Sequence, residues 1–316
     1  MLPDRARDAQ FELMLLGTGT SSAVPILPCV TDPEQKCKTC LSDAKEDERG
    51  NTSAIVQVRA NDGNMKTILI DCGKTFYRDS LKHFPKRGLR KIDGLLLTHG
   101  HADAMYGLDD LRAWTMRSIQ DCIDVYTNED TYQTVCNVFP YMVDSSKASG
   151  GGDVPSFRWH IITPGEQFDV AGVPVIAADV EHGLAAPRSI SGDRSPFHCL
   201  SYIFPPFGIY MADVSRIPEE SYKVIDNALE GKRPSILVLD CLKSQPHLSH
   251  FGLDQSLEAS YRIKAKKTLF VGFGHERTHN SWIEHIDRNK SVDMDISPGF
   301  DGQAVEVDIE GNVETK

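Results

Sequence analysis

Leu95-Leu-Leu-Thr-His-Gly-His-Ala-Asp-Ala104 decides how this chain is read. An apolar run, Leu95 to Leu97, stops at Thr98, and His99, His101 and Asp103 follow at alternate positions. A buried strand that ends in a ligand-bearing loop is the usual way an open sheet delivers chemistry to one edge. Two imidazoles and a carboxylate suit Zn²⁺ and related divalent ions. Such an ion lowers the pKa of a bound water and makes a nucleophile near neutral pH. A lone His-x-His in a loop is more often plain polar surface. Here the Leu-rich run before it and the helix-like segment Gly107 to Trp114 after it favour a ligand role.

The bulk composition narrows the classes. The chain has 316 residues, 40% apolar and 25% charged, enough for a large α/β architecture with a packed core. No stretch is long enough to cross a bilayer, and residues 1–10 lack the apolar centre of a signal peptide. An intracellular protein, cytoplasmic or nuclear, is expected. The net charge of −11 argues against broad binding to a phosphate backbone, so nucleic acid is a poor partner. Eight cysteines fit a reducing compartment. Cys72, Cys122, Cys136, Cys199 and Cys241 lie in or beside apolar runs and read as buried thiols. Cys29, Cys37 and Cys40 crowd one polar segment instead, and the Cys-x-x-Cys at 37–40 has the spacing of a zinc knuckle.

Strands are expected at 11–16, 54–59, 67–70, 95–97, 123–126, 157–162, 173–178, 200–204, 209–212, 236–239, 268–271 and 304–309. Helices are expected at 74–84, 108–116, 128–138, 218–229 and 253–263. Strands in consecutive groups, with helices between the later ones, suggest two sheets face to face with helices outside. No linker divides the chain, so 1–316 is read as one domain with a cysteine-rich insertion at 29–40. Further polar residues sit at strand ends: His182 after 173–178, and Asp213 after 209–212. His250 precedes a helix. Gly17-Thr-Gly-Thr20 is either a tight turn or a backbone cradle for a phosphate. Asn51, Thr52 and Ser53 precede a strand and can face a site there. Arg188 and Arg194 are the nearest basic candidates for a substrate phosphate. His83, His160 and His285 read as solvated.

Taken together, several segments resemble the metallo-β-lactamase superfamily, and within it the phosphoribosyl cyclic phosphodiesterase branch. They are Gly17-Thr-Gly-Thr-Ser-Ser-Ala-Val-Pro25, the triple cysteine segment, Thr98 to Asp103 with Gly107-Leu-Asp-Asp-Leu-Arg112, Glu181-His-Gly183, Met211-Ala-Asp213 and Leu239-Asp-Cys241. The resemblance implies an α/β fold, an αββα sandwich of two mixed β-sheets with outer helices and a metal site at one edge. It implies that His99, His101 and His182 hold the first metal and that Asp213 bridges toward a second. Asp103 would serve the second metal or orient the attacking water, and His250 would give a proton to the leaving oxygen. It also implies that His275 completes a structural zinc site with Cys29, Cys37 and Cys40.

Two positions depart from the family pattern. Ala104 stands where the family has the last histidine of His-x-His-x-Asp-His, and Gly272 stands where it has another metal-binding histidine. Both losses fall on the second metal. One active-site ion, Zn or Mn, is therefore favoured over two. Refilling of the second site by His247, His279 or Glu276, and loss of catalysis, are the other readings. The expected activity is metal-dependent hydrolysis of a small phosphodiester, cyclic ones included. The alternatives are a tRNA-processing nuclease, a biosynthetic protein like that of the pyrroloquinoline quinone pathway, and a metal-binding scaffold without turnover. A homodimer is left open.

Overall fold

The computed structural model describes residues 9–116, 119–151, 153–185 and 194–316. The first sheet begins with β1 (Ala9–Gly17), β2 (Ser53–Arg59), β3 (Met65–Ile70), β4 (Gly94–Leu96), β5 (Ile123–Thr127) and β6 (Phe157–Ile161). The second contains β7 (Gln167–Val170), β8 (Val173–Leu184), β9 (Pro196–Phe204), β10 (Gly208–Met211), β11 (Ile236–Asp240), β12 (Lys267–Val271) and β13 (Asp295–Pro298). The chain then returns to the first sheet with β14 (Ala304–Asp308) and β15 (Val313–Thr315). The spatial orders are β15-β14-β1-β2-β3-β4-β5-β6 and β13-β12-β11-β10-β9-β8-β7. Both sheets are mixed: β3 to β6 run parallel beside an antiparallel group, and β10 to β13 run parallel beside antiparallel β7 to β10.

The opening stretch explains this layering. Leu96 joins the core between the sheets, with Val56, Ile70, Val175 and Leu200. Leu95 and Leu97 point the other way, into the layer of Phe76, Leu108 and Val135. Neither face of β4 meets water, so its residues are continuously apolar rather than alternating. Helices Phe76–Arg87 and Glu129–Val138 supply that outer layer, and Leu253–Ile263 and His279–Asn289 cover the other sheet with Leu257, Trp282 and Ile286. The result is the expected α/β sandwich of two mixed sheets with outer helices.

Several local expectations change. The segment 108–116 is a 3-10 turn, Tyr106–Leu111, running into one α-turn, Arg112–Thr115, rather than a continuous helix. Three short edge strands, β7, β13 and β15, add to the expected set. So does the helix His279–Asn289, which Thr278 caps by accepting from Ser281 N. Cys122 and Cys136 are only half-buried. His83 is buried and its pKa is pushed down to about 4, first by burial and then by surrounding lysines and arginines, so it is not a solvated residue. His160 stacks on Tyr126 and bonds Asp124, and His285 packs near Trp282. Among the described residues no helix is long and apolar enough to cross a membrane.

Candidate metal centre

The carboxyl ends of the strands converge at one edge. His99 follows β4, His182 lies near the end of β8, and Asp213 follows β10. His99, His101 and His182 place one ligand atom each within 4.8 Å of the others. His182 owes its aim to a break in register: Glu181 pairs with His198 and Leu184 with Pro196, which leaves one extra residue on β8. Such a bulge turns a side chain out of the pleat. It needs Gly183, whose φ of 77° is a left-handed conformation open to glycine at little cost.

Hydrogen bonding fixes which nitrogen His99 and His182 offer. Thr98 donates its N–H and its hydroxyl to Asp71, both at 2.8 Å. With its proton committed, the Thr98 hydroxyl accepts from His99 Nδ1 at 2.9 Å. His99 Nε2 therefore keeps its lone pair, and this buried atom has no hydrogen-bond partner. A buried orphan acceptor costs about 1–3 kcal/mol unless something fills the gap. His182 Nδ1 donates to the Ser249 carbonyl at 2.7 Å, which frees its Nε2 in the same way. Burial, reinforced by the adjacent His250 and His101 imidazoles, pushes His182 down to about 3. His99 is pushed well down by burial and its neighbours. Neutral imidazoles with free lone pairs, held by an outer ring of hydrogen bonds, are what a divalent ion requires. The donor set fits a metal.

A second cluster shares His182 and adds Asp213 and His250, again within 4.8 Å. Thr52 donates to Asp213 Oδ2 at 3.4 Å, so Thr52 does face the site. Burial raises Asp213 to about 7 against the pull of His250. Asp240 lies behind His250, fully buried, with Oδ2 accepting from His250 Nδ1 at 2.9 Å, Val214 N at 3.0 Å and Phe251 N at 3.2 Å. Burial alone would lower His250, but the Asp240 carboxylate outweighs it and raises the imidazole to about 9.

The expected second-metal ligands fare differently. Asp103 joins neither cluster among the described residues, although its charge acts on His101, Asp213 and His250. Ala104 is buried, and its carbonyl accepts from Cys72 N at 2.7 Å. Gly272 has a φ of 82°, and a Cβ there would lie 2.6 Å from Asp240 Oδ1. The three refilling candidates do not enter the clusters. His247 bonds Ser249, His279 bonds Arg49, and Glu276 accepts from Ser244.

The cysteine segment folds against the loop after β12. Cys29, Cys37, Cys40 and His275 form one group within 4.8 Å. The Cys29 and Cys37 sulfurs lie 3.6 and 3.4 Å from His275 Nδ1. Tetrahedral zinc with ordinary Zn–S and Zn–N bonds sets this separation at about 3.6 Å. The Cys40 N–H points at the Cys37 sulfur at 3.4 Å. Burial opposes ionisation of Cys37, yet that N–H and the neighbouring His275 outweigh it and bring the thiol down to about 7. Cys29 therefore joins the group that the resemblance implies.

Some sequence expectations belong elsewhere. Gly17 and Gly19 are demanded by packing, since a Cβ on Gly17 would meet Asn51 O at 2.0 Å and one on Gly19 would meet Gly50 O at 2.9 Å. Asn51 donates to the Thr20 and Ser21 carbonyls and pins this turn. Trp114 packs on Phe76 and Phe84, and Arg112 pairs with Asp109. Arg194 is exposed, and Arg188 lies outside the described residues. Sequence reasoning does not reach Asp71, Asp240, Ser249 or Phe197 as functional residues. For Asp71 a signal exists: it ends the apolar run 67–70 as Asp213 ends 209–212.

Comparison with known proteins agrees with this geometry. Residues 66–273 match the family model described as Beta-lactamase superfamily domain. A solved diphosphatase of the PhnP family superposes with a TM-score of 0.71 at 29% identity, over 94% of this chain and 96% of that one. An octanoyltransferase of Porphyromonas gingivalis is 25% identical over 301 residues, 94% of this chain but 52% of that protein. A ribonuclease Z of a Bradyrhizobium species is 26% identical over 173 residues, 54% of this chain and 46% of that protein. The chain thus spans about half the length of these two curated relatives. With the fold, the family match over its centre and the converging histidines in agreement, the chain belongs to the metallo-β-lactamase superfamily of metal-dependent hydrolases.

Proposed function

We propose that the chain is a metal-dependent phosphodiesterase for a small phosphodiester, with one catalytic ion held by His99, His101, His182 and Asp213. The carrying observation is the buried, unpartnered Nε2 of His99, which converges with His101 and His182 beside an Asp213–His250–Asp240 array. The similarity to a PhnP-family diphosphatase supports phosphoryl chemistry. When bound, a divalent ion supplies an activated water and offsets charge on the phosphoryl oxygens.

The protein's own groups supply the rest. His250 is locked through Nδ1 to Asp240, so its Nε2 carries the proton to give to the departing alkoxide oxygen. Asp240 holds that imidazole in place and in its charged form. Asp103 stands near His101 and His250 and orients the nucleophilic water without belonging to a second ion. Cys29, Cys37, Cys40 and His275 hold a structural zinc that ties the loop after β12 to residues 29–40. The net charge of −11 favours a small substrate over a polynucleotide.

The test is His101→Ala. Wild type should contain two ions per chain by elemental analysis and hydrolyse small phosphodiesters such as bis(p-nitrophenyl) phosphate or cyclic nucleotides. The variant should keep one ion and its fold and lose turnover by about a thousandfold or more. Undiminished turnover in the variant rejects the reading, and steeply salt-dependent cleavage of precursor tRNA by the wild type moves the assignment to a nuclease.

A further inference from the structure

We propose that Phe197 is the positioning residue of His101, taking the place of the hydrogen bond that fixes each of the other two histidines. The inference rests on the metal-centre reading above. His99 is held by Thr98 and His182 by the Ser249 carbonyl. No hydrogen bond reaches either nitrogen of His101 among the described residues, and His101 is the exposed member of the three. An exposed imidazole with a free χ2 would sample many orientations, and ordering it on binding costs side-chain entropy.

What meets His101 is a ring face. Phe197 lies parallel to it, 6° between planes and 4.5 Å between centroids. The same phenyl ring presents steep contacts to His99 at 6.1 Å and 80°, and to His182 at 6.0 Å and 65°. One aromatic side chain therefore touches all three candidate ligands. Its own direction is set by β9. Residues 197 and 199 share a face, and Cys199 approaches His99 Nδ1 at 3.7 Å. His198 takes the opposite face and pairs with Asp179 at 2.6 Å. The strand register therefore aims Phe197 at the site.

The stack also favours the liganded form. An imidazole that donates its lone pair to a cation becomes electron-poor, and the negative face of a phenyl ring attracts an electron-poor ring more than a neutral one. Leucine at 197 keeps apolar volume but removes the face, whereas tyrosine and tryptophan keep it.

The experiment measures Co²⁺ affinity at the active site by chelator competition, with zinc left in the cysteine cluster, and follows the visible absorption of the bound Co²⁺. Phe197→Leu should bind Co²⁺ about tenfold more weakly with an altered spectrum. Phe197→Tyr and Phe197→Trp should stay within about twofold of wild type. Cluster zinc and thermal stability are recorded for each variant. Should leucine fail to fold, Phe197→Met supplies the same comparison. Unchanged affinity and spectrum in the folded aliphatic variant overturn the proposal, as does equal loss in the tyrosine and tryptophan variants. A wild type that takes up no Co²⁺ beside the cluster zinc refutes the metal centre itself, a separate outcome.

Discussion

Asp240→Asn removes one charge and almost no volume, and its consequences can be worked through. In the wild-type protein His250 is raised from 6.5 to about 9, despite burial, chiefly by the Asp240 carboxylate 2.9 Å from its Nδ1. That displacement corresponds to about 3 kcal/mol between the two protonation states. The carboxamide oxygen of the variant can still accept from Val214, Phe251 and His250, so the geometry survives while the charge goes. Burial then dominates, and the imidazole should titrate near or below its ordinary value. In the metal-free protein at pH 8 the protonated fraction falls from about nine-tenths to about one-thirtieth, and a proton-donating His250 predicts a loss of kcat in the same direction. The basic limb of the pH–rate profile should move acidward by about two and a half units. Stability follows with a definite sign. A histidine whose folded pKa is raised contributes stability below its unfolded pKa of about 6.5 and loses it as pH rises through the folded value, near 9. Without the active-site ion, the stability difference between wild type and the Asp240→Asn variant should therefore shift by about 3 kcal/mol across that window. Two-dimensional ¹⁵N NMR of the histidine rings in metal-depleted protein gives the His250 titration directly. If His250 titrates at the same pH in both proteins, Asp240 is not what holds its proton, and the reasoning fails.

Gly272→His, which places a family-like histidine at the second-metal position, should add no ion. Its Cβ meets Asp240 Oδ1 at 2.6 Å and its φ of 82° is left-handed, so a loss of about 3 kcal/mol in denaturant unfolding, with no gain in metal by elemental analysis, is expected. Cys37→Ser should cost one zinc per chain and lower the melting temperature, while the histidine centre still binds Co²⁺. A variant that keeps a full complement of zinc would show that the cluster does not use Cys37.

Much of the site is legible in residue order because strands ending at one sheet edge share a pattern: apolar run, then polar residue. His99, His182 and Asp213 each follow it, and His182 meets His99 in one cluster and Asp213 in the other. His250 and the Cys37–Cys40 pair are legible from motif and spacing. Supporting groups are not, because their roles are defined by partners far along the chain. Asp71 matters through Thr98, and Phe197 matters through His101. Edge strands of three or four residues, such as β7, β13 and β15, carry too little alternation to stand out. Helix His279–Asn289 does carry a signal, since Trp282 and Ile286 repeat at helical spacing, but two buried apolar residues in a polar stretch make a faint one.

The sequence by itself determined the layered α/β architecture and singled out the candidate metal ligands, because buried parallel strands must be continuously apolar and the polar residues that end them stand out. Tertiary structure alone decided the lone pairs, the proton on His250 and the exclusion at Gly272. Each depends on a hydrogen bond, a ring face or a close approach between distant segments: Thr98 on Asp71, Ser249 on His182, Phe197 on His101 and Asp240 against Gly272. Directional contacts of that kind leave no periodic trace in residue order, whereas burial does.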